Sequence, residues 1–290
     1  MIFDWFFLII IYIFTNSASK LIQKYILKDP EIDSTAFSAF FMFLTGVLSI
    51  PMLFWDNVIL SYSINNWLLV LLSGFIYTAC MTLYYKALQN IEISQVETIA
   101  TTRSIWLMLL GIILFNEKIS YSNFIGTILI FSGLLVIYWN RSSLRSFNKP
   151  HLYTLLYAIL ISSANAIDKY FLQFFSLTLY QVVSYIIPAV LTVIIIPNTF
   201  DKFKYFLKPG KPICVILLSC LFQMTATLSL YGSFKFGGEL SVVGPLAQTS
   251  TVLTIILGII LFKEKWNIKR KIWGVSLTIL GVLFIRLIHF

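Results

Sequence analysis

Gly111-Ile112-Ile113-Leu114-Phe115-Asn116-Glu117-Lys118 returns 147 residues later as Gly258-Ile259-Ile260-Leu261-Phe262-Lys263-Glu264-Lys265. Outward from these octets, Leu71–Lys118 lies over Leu218–Lys265 without a gap, with 19 of 48 positions identical. One further residue of offset aligns Gly126 and Gly133 with Gly274 and Gly281, and an offset of 145 pairs Lys24-Tyr25 with Lys169-Tyr170. Apolar stretches resemble one another through composition alone, but composition does not hold charged residues and glycines in register. The chain is a duplication.

What has been duplicated follows from hydropathy. Of 290 residues 59% are apolar and only 11% charged, and the mean hydropathy is +0.88. A soluble domain carries roughly 25% charged residues because its surface faces water, so lipid is the natural solvent for this surface. Ten apolar segments are read at roughly 2–22, 34–54, 67–88, 95–115, 120–139, 152–173, 177–197, 211–233, 240–262 and 270–288. A spanning helix needs about 20 such residues, and only helices or closed barrels satisfy the backbone inside a bilayer. Long continuous segments select helices, since barrel strands are short and alternating. Asp4 in place of an opening positive charge makes the first segment a retained helix rather than a signal peptide.

The expected fold class is therefore an all-α integral membrane protein of ten transmembrane helices. Residues 1–140 form the first repeat, 141–151 a connecting loop and 152–290 the second repeat. Five helices per repeat is an odd number, so the second half must enter the membrane from the opposite side and the repeats are inverted. Such halves rock about a site near the midplane in secondary transporters. Fifteen Lys and Arg residues, from Lys24 and Lys28 to Lys271, fall on one side, against Lys118, Lys169, Lys235 and Arg286 on the other. The positive-inside rule places the fifteen in the cytoplasm and both termini outside.

A tyrosine-bearing helix, a Ser-x-Val opening of the next, Gly-x-x-Leu-Phe-x-Glu-Lys at its end and two glycines seven apart in the following helix make a set. Tyr84, Ser94, Val96, Gly111, Glu117, Gly126 and Gly133 carry it in the first half; Tyr231, Ser241, Val243, Gly258, Glu264, Gly274 and Gly281 carry it in the second. The set resembles the EamA repeat of the drug/metabolite transporter superfamily. The resemblance implies ten helices, a central cavity walled by the first four helices of each half, and fifth helices packed outside. A proline frequent in that family is replaced by Ser104 and Thr251, which puts the bend it would bring in question.

Candidate site residues concentrate on the fourth and ninth segments. Ser94, Glu97, Thr101, Ser104 and Met108 share one helical face, and their repeat counterparts are Ser241, Gly244, Gln248, Thr251 and Ile255. The face is either a cavity wall or an interhelical hydrogen-bonding seam. Arg103 is expected nearly opposite, among Val96, Ile99, Leu107 and Leu110, so that protein should enclose the helix all round. An arginine at a helix centre costs about 2.5–3.5 kcal/mol on insertion scales; it binds either a substrate anion or a carboxylate such as Asp168 or Glu97. Asp168, on one face with Asn165, is a candidate proton relay or a partner of a Lys or Arg. Tyr77, Tyr84, Tyr85, Trp106 and Tyr231 offer aromatic surface to a substrate or to the membrane interface. Lys20 and Lys24 are read as snorkelling outward, Glu117 and Glu264 as structural, and Pro188 and Pro245 as local helix breaks.

No metal-binding, phosphate-loop or nucleophile-elbow motif occurs, so no enzyme activity, metal or cofactor is expected. Cys80, Cys214 and Cys220 read as small core residues. The net charge of +9 is scattered rather than gathered on a helix face, which argues against nucleic acid. The leading expectation is a secondary transporter of the cell membrane, moving a small polar or amphipathic metabolite, an amino acid or related solute, by alternating access. A flippase-type subunit for a lipid-linked sugar is the alternative. The partners left open are a small-molecule solute, membrane lipid, protons and a second copy of the chain as a homo-oligomer.

Overall fold

The computed structural model describes residues 5–59, 63–118, 120–138, 148–207, 213–262 and 268–287. The fold is all-helical, with 84% helix. The helices are α1 (Trp5–Ile26), α2 (Ser34–Ser49), α3 (Ile64–Asn90), α4 (Ile93–Ala100), α5 (Arg103–Phe115), α6 (Tyr121–Tyr138), α7 (Lys149–Phe171), α8 (Leu177–Ile195), α9 (Phe203–Phe206), α10 (Ile213–Lys235), α11 (Leu240–Ala247), α12 (Thr249–Phe262) and α13 (Ile268–Leu287), with a 3₁₀ turn Ile50–Trp55 after α2. Among the described residues six stretches are long and apolar enough to cross a membrane: Trp5–Ile26, Ser34–Phe54, Ile64–Asn90, Leu177–Ile195, Ile213–Lys235 and Leu240–Gly258.

Local chemistry sets the helix ends. Asp33 caps α2 by accepting from the Thr35 and Ala36 backbone N–H groups at 3.0 and 2.8 Å. Asn116 ends α5 in the left-handed conformation, φ 51°, where asparagine is tolerated better than most residues. Two of the apolar segments are interrupted: the fourth between α4 and α5 at Thr101-Thr102, the ninth between α11 and α12 at Gln248. The first interruption occurs without a proline. Pro245 lies inside α11 just before the second. Pro188, expected to break its helix, instead lies within a continuous α8, and its carbonyl accepts from the Thr78 and Thr192 hydroxyls.

The packing inverts that of a soluble protein. Asn16, Ser17, Lys20, Gln23, Glu97, Arg103, Asn165 and Asp168 are buried, while Phe14, Leu68, Ile113, Ile194 and Trp273 are more than half exposed. An apolar exterior around a polar interior suits a bundle surrounded by lipid. α5 shares this arrangement. Its Ile105, Trp106, Leu109 and Ile112 face outward, so the helix is not enclosed on all sides as the sequence suggested. Cys80 and Cys220 are buried, but Cys214 is exposed near the start of α10.

α6 packs along α13, α1 along α10, α3 along α7, α2 along α8, α5 across α11 and α4 across α12. The α6–α13 crossing is close because of the paired glycines. A Cβ on Gly133 would sit 2.5 Å from the Gly274 carbonyl oxygen, and one on Gly281 would sit 2.6 Å from that of Gly126. Two apolar clusters fill the bundle. One gathers Phe171, Phe175, Tyr180, Tyr231 and Phe234 at the end where α7 and α10 finish. The other gathers Phe37, Phe40, Tyr85, Phe206 and Ile216 at the end where α3 finishes and α10 begins.

Candidate functional site

Between the two clusters lies a cavity of about 90 Å³, room for several water molecules. On α1, Tyr12, Asn16, Lys20 and Gln23 recur at intervals of four, four and three, which brings them to one helical face. α7 presents Tyr157, Ile161 and Asn165; α3 adds Tyr77, Met81, Tyr84 and Tyr85; α8 and α10 add Tyr185, Gln223, Thr227 and Tyr231. Arg103, at the interruption of the fourth segment, completes the wall.

Charge in this wall is unevenly satisfied. Lys20 Nζ donates to Glu97 Oε2 at 2.6 Å. Glu97 also accepts from the Thr251 hydroxyl on Oε2 at 3.1 Å and from the Tyr84 hydroxyl on Oε1 at 3.2 Å. Arg103 has one long bond, from Nη2 to the Tyr12 hydroxyl at 3.4 Å, and its buried Nε has no partner among the described residues. Asp168, fully buried, accepts from the Tyr77 hydroxyl on one oxygen and from the Tyr180 hydroxyl on the other, the latter at 2.7 Å.

The interruptions themselves are braced. The Ser17 hydroxyl donates to the Ser250 carbonyl at 2.8 Å, and Ser162, its repeat counterpart, donates to the Arg103 carbonyl at 3.2 Å. Asn16 adds a 3.1 Å bond to the Ser250 hydroxyl. Side-chain donors on α1 and α7 thus hold both interruptions against the neighbouring helices.

Beyond the cavity, one end of the bundle is fastened by Glu117. Its carboxylate accepts from the Leu240 and Ser241 backbone N–H groups, both at 2.8 Å, and caps the start of α11. It also pairs with Lys169 at 2.6 Å, whose Nζ reaches the Gly238 carbonyl at 3.2 Å. Burial pushes the Glu117 carboxyl up. The Lys169 hydrogen bond and the two backbone donors, Leu240 and Ser241, outweigh burial and hold it below its ordinary value. At the opposite end Lys24 donates to the Leu88 and Ile91 carbonyls at 2.6 and 2.8 Å, and Lys202 pairs with Asp33 at 2.7 Å.

The structure sorts the sequence candidates. Arg103, Tyr77, Tyr84, Asn165 and Tyr231 line the cavity. Glu97, Asp168 and Thr251 lie behind the wall and hold its residues. Thr101, Ser104 and Gln248 are buried without lining it. The side chain of Ser94 and the whole of Glu264 lie outside what is described. Trp106 is 38% exposed on the outer face and is no part of the wall.

Three further readings are corrected. The polar face of Glu97, Thr101 and Ser104 does not wall the cavity; Arg103, expected opposite it, does. Lys20 is buried in an ion pair and Lys24 binds carbonyls at a helix end, so the expected snorkelling is replaced by partners inside the protein. Asp168 has tyrosine hydroxyls for partners, not a Lys or Arg. The wall residues of α1 were missed although their spacing was visible, because the two lysines drew the reading towards the interface. Those of α8 and α10 gave no charged signal.

A helical bundle with its polar groups inward and its apolar side chains outward is a multi-pass membrane protein. The model of the EamA-like transporter family matches residues 4–139, just under half of the chain; this stretch is similar to that family, consistent with the drug/metabolite transporter superfamily, and members of the family are transporters rather than enzymes. One crystal structure superposes over 97% of this chain and 98% of its own with a TM-score of 0.67 at 14% identity, a likeness of fold. No curated protein matches.

Proposed function

We propose that the protein is a secondary carrier of a small polar or amphipathic metabolite, working by alternating access across the cell membrane. The observation that carries this reading is the small cavity inside the bundle, where buried Asn16, Lys20, Arg103 and Asn165 meet residues of both apolar clusters. Loosening one cluster at a time would open it to each side in turn.

The proposed frame is ten spans in two inverted repeats, residues 1–140 and 152–290. Its support is the exchange of contacts under the repeat offset. The α1–α10 pair exchanges with α7–α3 and α4–α12 with α11–α5, while α2–α8 and α6–α13 map onto themselves. The end bearing Lys24, Lys28 and Lys202 is proposed to be cytoplasmic. Purified protein in proteoliposomes, offered a panel of metabolites with and without a pH gradient, tests the carrier reading. Flux that depends on the protein is expected, and no movement under any condition would overturn it. If only a lipid-phosphate substrate moves, the flippase reading takes its place.

A further inference from the structure

We propose that the cavity's ligand is a small organic carboxylate, a monoanion whose carboxylate docks on Arg103. This deepens the carrier reading and rests on it. The cavity wall contains two cations, and one carboxylate serves both: Glu97 pairs with Lys20 at 2.6 Å and attracts Arg103 without a hydrogen bond to it, which leaves one positive charge in excess. Lys20 is neutralised by Glu97, and Glu97 is already occupied by Lys20, Thr251 and Tyr84. Asp168 does not line the cavity, and each of its oxygens already accepts from a tyrosine.

Arg103 is left with its charge facing the cavity, 6% exposed, with one 3.4 Å bond and an unpartnered Nε. A buried cation with so few partners is unfavourable unless an anion completes it. A guanidinium offers five N–H donors in a planar fork that matches a carboxylate. The repeat counterparts of Lys20 and Arg103 are Asn165 and Ser250, so the second half adds no cation. A single uncompensated charge fits a monoanion better than a phosphate dianion.

The surroundings describe the rest of the ligand. Tyr12 touches the guanidinium, and the Tyr84 and Tyr157 rings lie 4.7 Å apart, centroid to centroid, on the same wall. Flat aromatic or short aliphatic bodies fit such a lining.

The test uses full-length purified protein and matched probes: acetate, benzoate and indole-3-acetate, each against its own amide. Calorimetry or thermal shift is expected to show saturable binding of at least one carboxylate and weaker binding of its amide by roughly 10- to 100-fold, the worth of a hydrogen bond to a charged group. Arg103→Gln should erase that preference and Arg103→Lys should keep part of it. Equal binding of acid and amide to the unaltered protein overturns the proposal, even if Arg103→Gln fails to fold. So does saturable binding by none of the three acids, or an undiminished preference in folded Arg103→Gln. Carboxylate binding without flux in proteoliposomes would leave the anion site and remove the carrier. Flux of neutral or cationic solutes untouched by Arg103→Gln would do the reverse.

Discussion

The two halves of the chain match in their tyrosines, serines and glycines and differ in where they carry buried charge. Tyr12 and Tyr157, Ser17 and Ser162, Lys24 and Lys169, Tyr84 and Tyr231, and Gly126 with Gly133 against Gly274 with Gly281 are identical counterparts. Lys20, Glu97 and Arg103 have Asn165, Gly244 and Ser250 as theirs, and Asp168 has Gln23. At one of the two related crossings Glu97 meets Thr251 by a hydrogen bond. At the other Gly244 lies so close to Leu107 that a Cβ would sit 2.8 Å from its Cδ1. Duplication supplied one geometry twice, and the charges were then distributed unequally over it. The asymmetry locates chemistry that the shared frame does not need.

The sharpest way to break this comparison is to remove one side of the buried pair. Lys20→Met leaves Glu97 uncompensated, and the loss of one partner of a buried pair costs about 3–5 kcal/mol. Lys20→Met with Glu97→Gln should recover most of it. Asn165→Ala, at the counterpart of Lys20, should cost under about 1 kcal/mol. Thermal unfolding of the detergent-solubilised protein measures all three. Equal losses at Lys20 and Asn165 would remove the claim that the halves differ in what they stake on these positions.

Scaffold positions should behave in the opposite way. Gly133→Val and Gly281→Val each place a side chain against a backbone carbonyl, and overpacking of this kind costs about 1–3 kcal/mol. Because the two glycines are counterparts in one crossing, their losses should agree within about 0.5 kcal/mol. Loss at only one of them, read from the same melts, would show that the α6–α13 seam is not equivalent from its two sides.

How much of this was legible in the sequence follows the same division. The helices were readable because hydropathy is spread over many residues. Helix occupies every one of the ten apolar segments, and most ends fall within a few residues of the expected bounds. The interruption at Thr101-Thr102 was not readable, since neither residue forbids helix, and no local pattern reported that Arg103 would line the cavity. Arg103 was singled out because a charge in hydrocarbon needs a partner, yet its partner Tyr12 comes from α1, and those of Glu97 come from α1, α3 and α12. No local pattern reports which helix lies opposite. The tyrosines of α3 were read as surface for a substrate or an interface, and only the packing of α3 beside α7 places Tyr77 and Tyr84 on the cavity.

Asp168 tests the asymmetry at a smaller scale. Asp168→Asn keeps the shape while weakening the bonds from Tyr77 and Tyr180, and a hydrogen bond to a charged group contributes about 1.5–3 kcal/mol. A loss near the lower end is expected, with Gln23→Ala at its counterpart costing less. Transport that responds to a pH gradient in the unaltered protein and ignores it in Asp168→Asn would assign the proton to this carboxyl; an unchanged response would remove Asp168 from any coupling.

The smallest effect is expected at the fastening made by Glu117, and it carries a sign. Its carboxyl is held below the ordinary 4.5 because Lys169 and the Leu240 and Ser241 backbone donors outweigh burial. A group depressed in the folded state adds stability that is fully present above its unfolded value and is lost as pH falls through the folded one. Glu117→Gln should therefore melt below the unaltered protein at neutral pH, by about 1 kcal/mol for a pair that water partly screens. The difference should shrink as the pH drops below about 4.5. Lys169→Met should remove much of the same difference, since it takes away the main cause of the depression. Were the gap between Glu117→Gln and the unaltered protein to widen in acid, the carboxyl would be held in its neutral form, and the capping of α11 by an ionised Glu117 would be wrong.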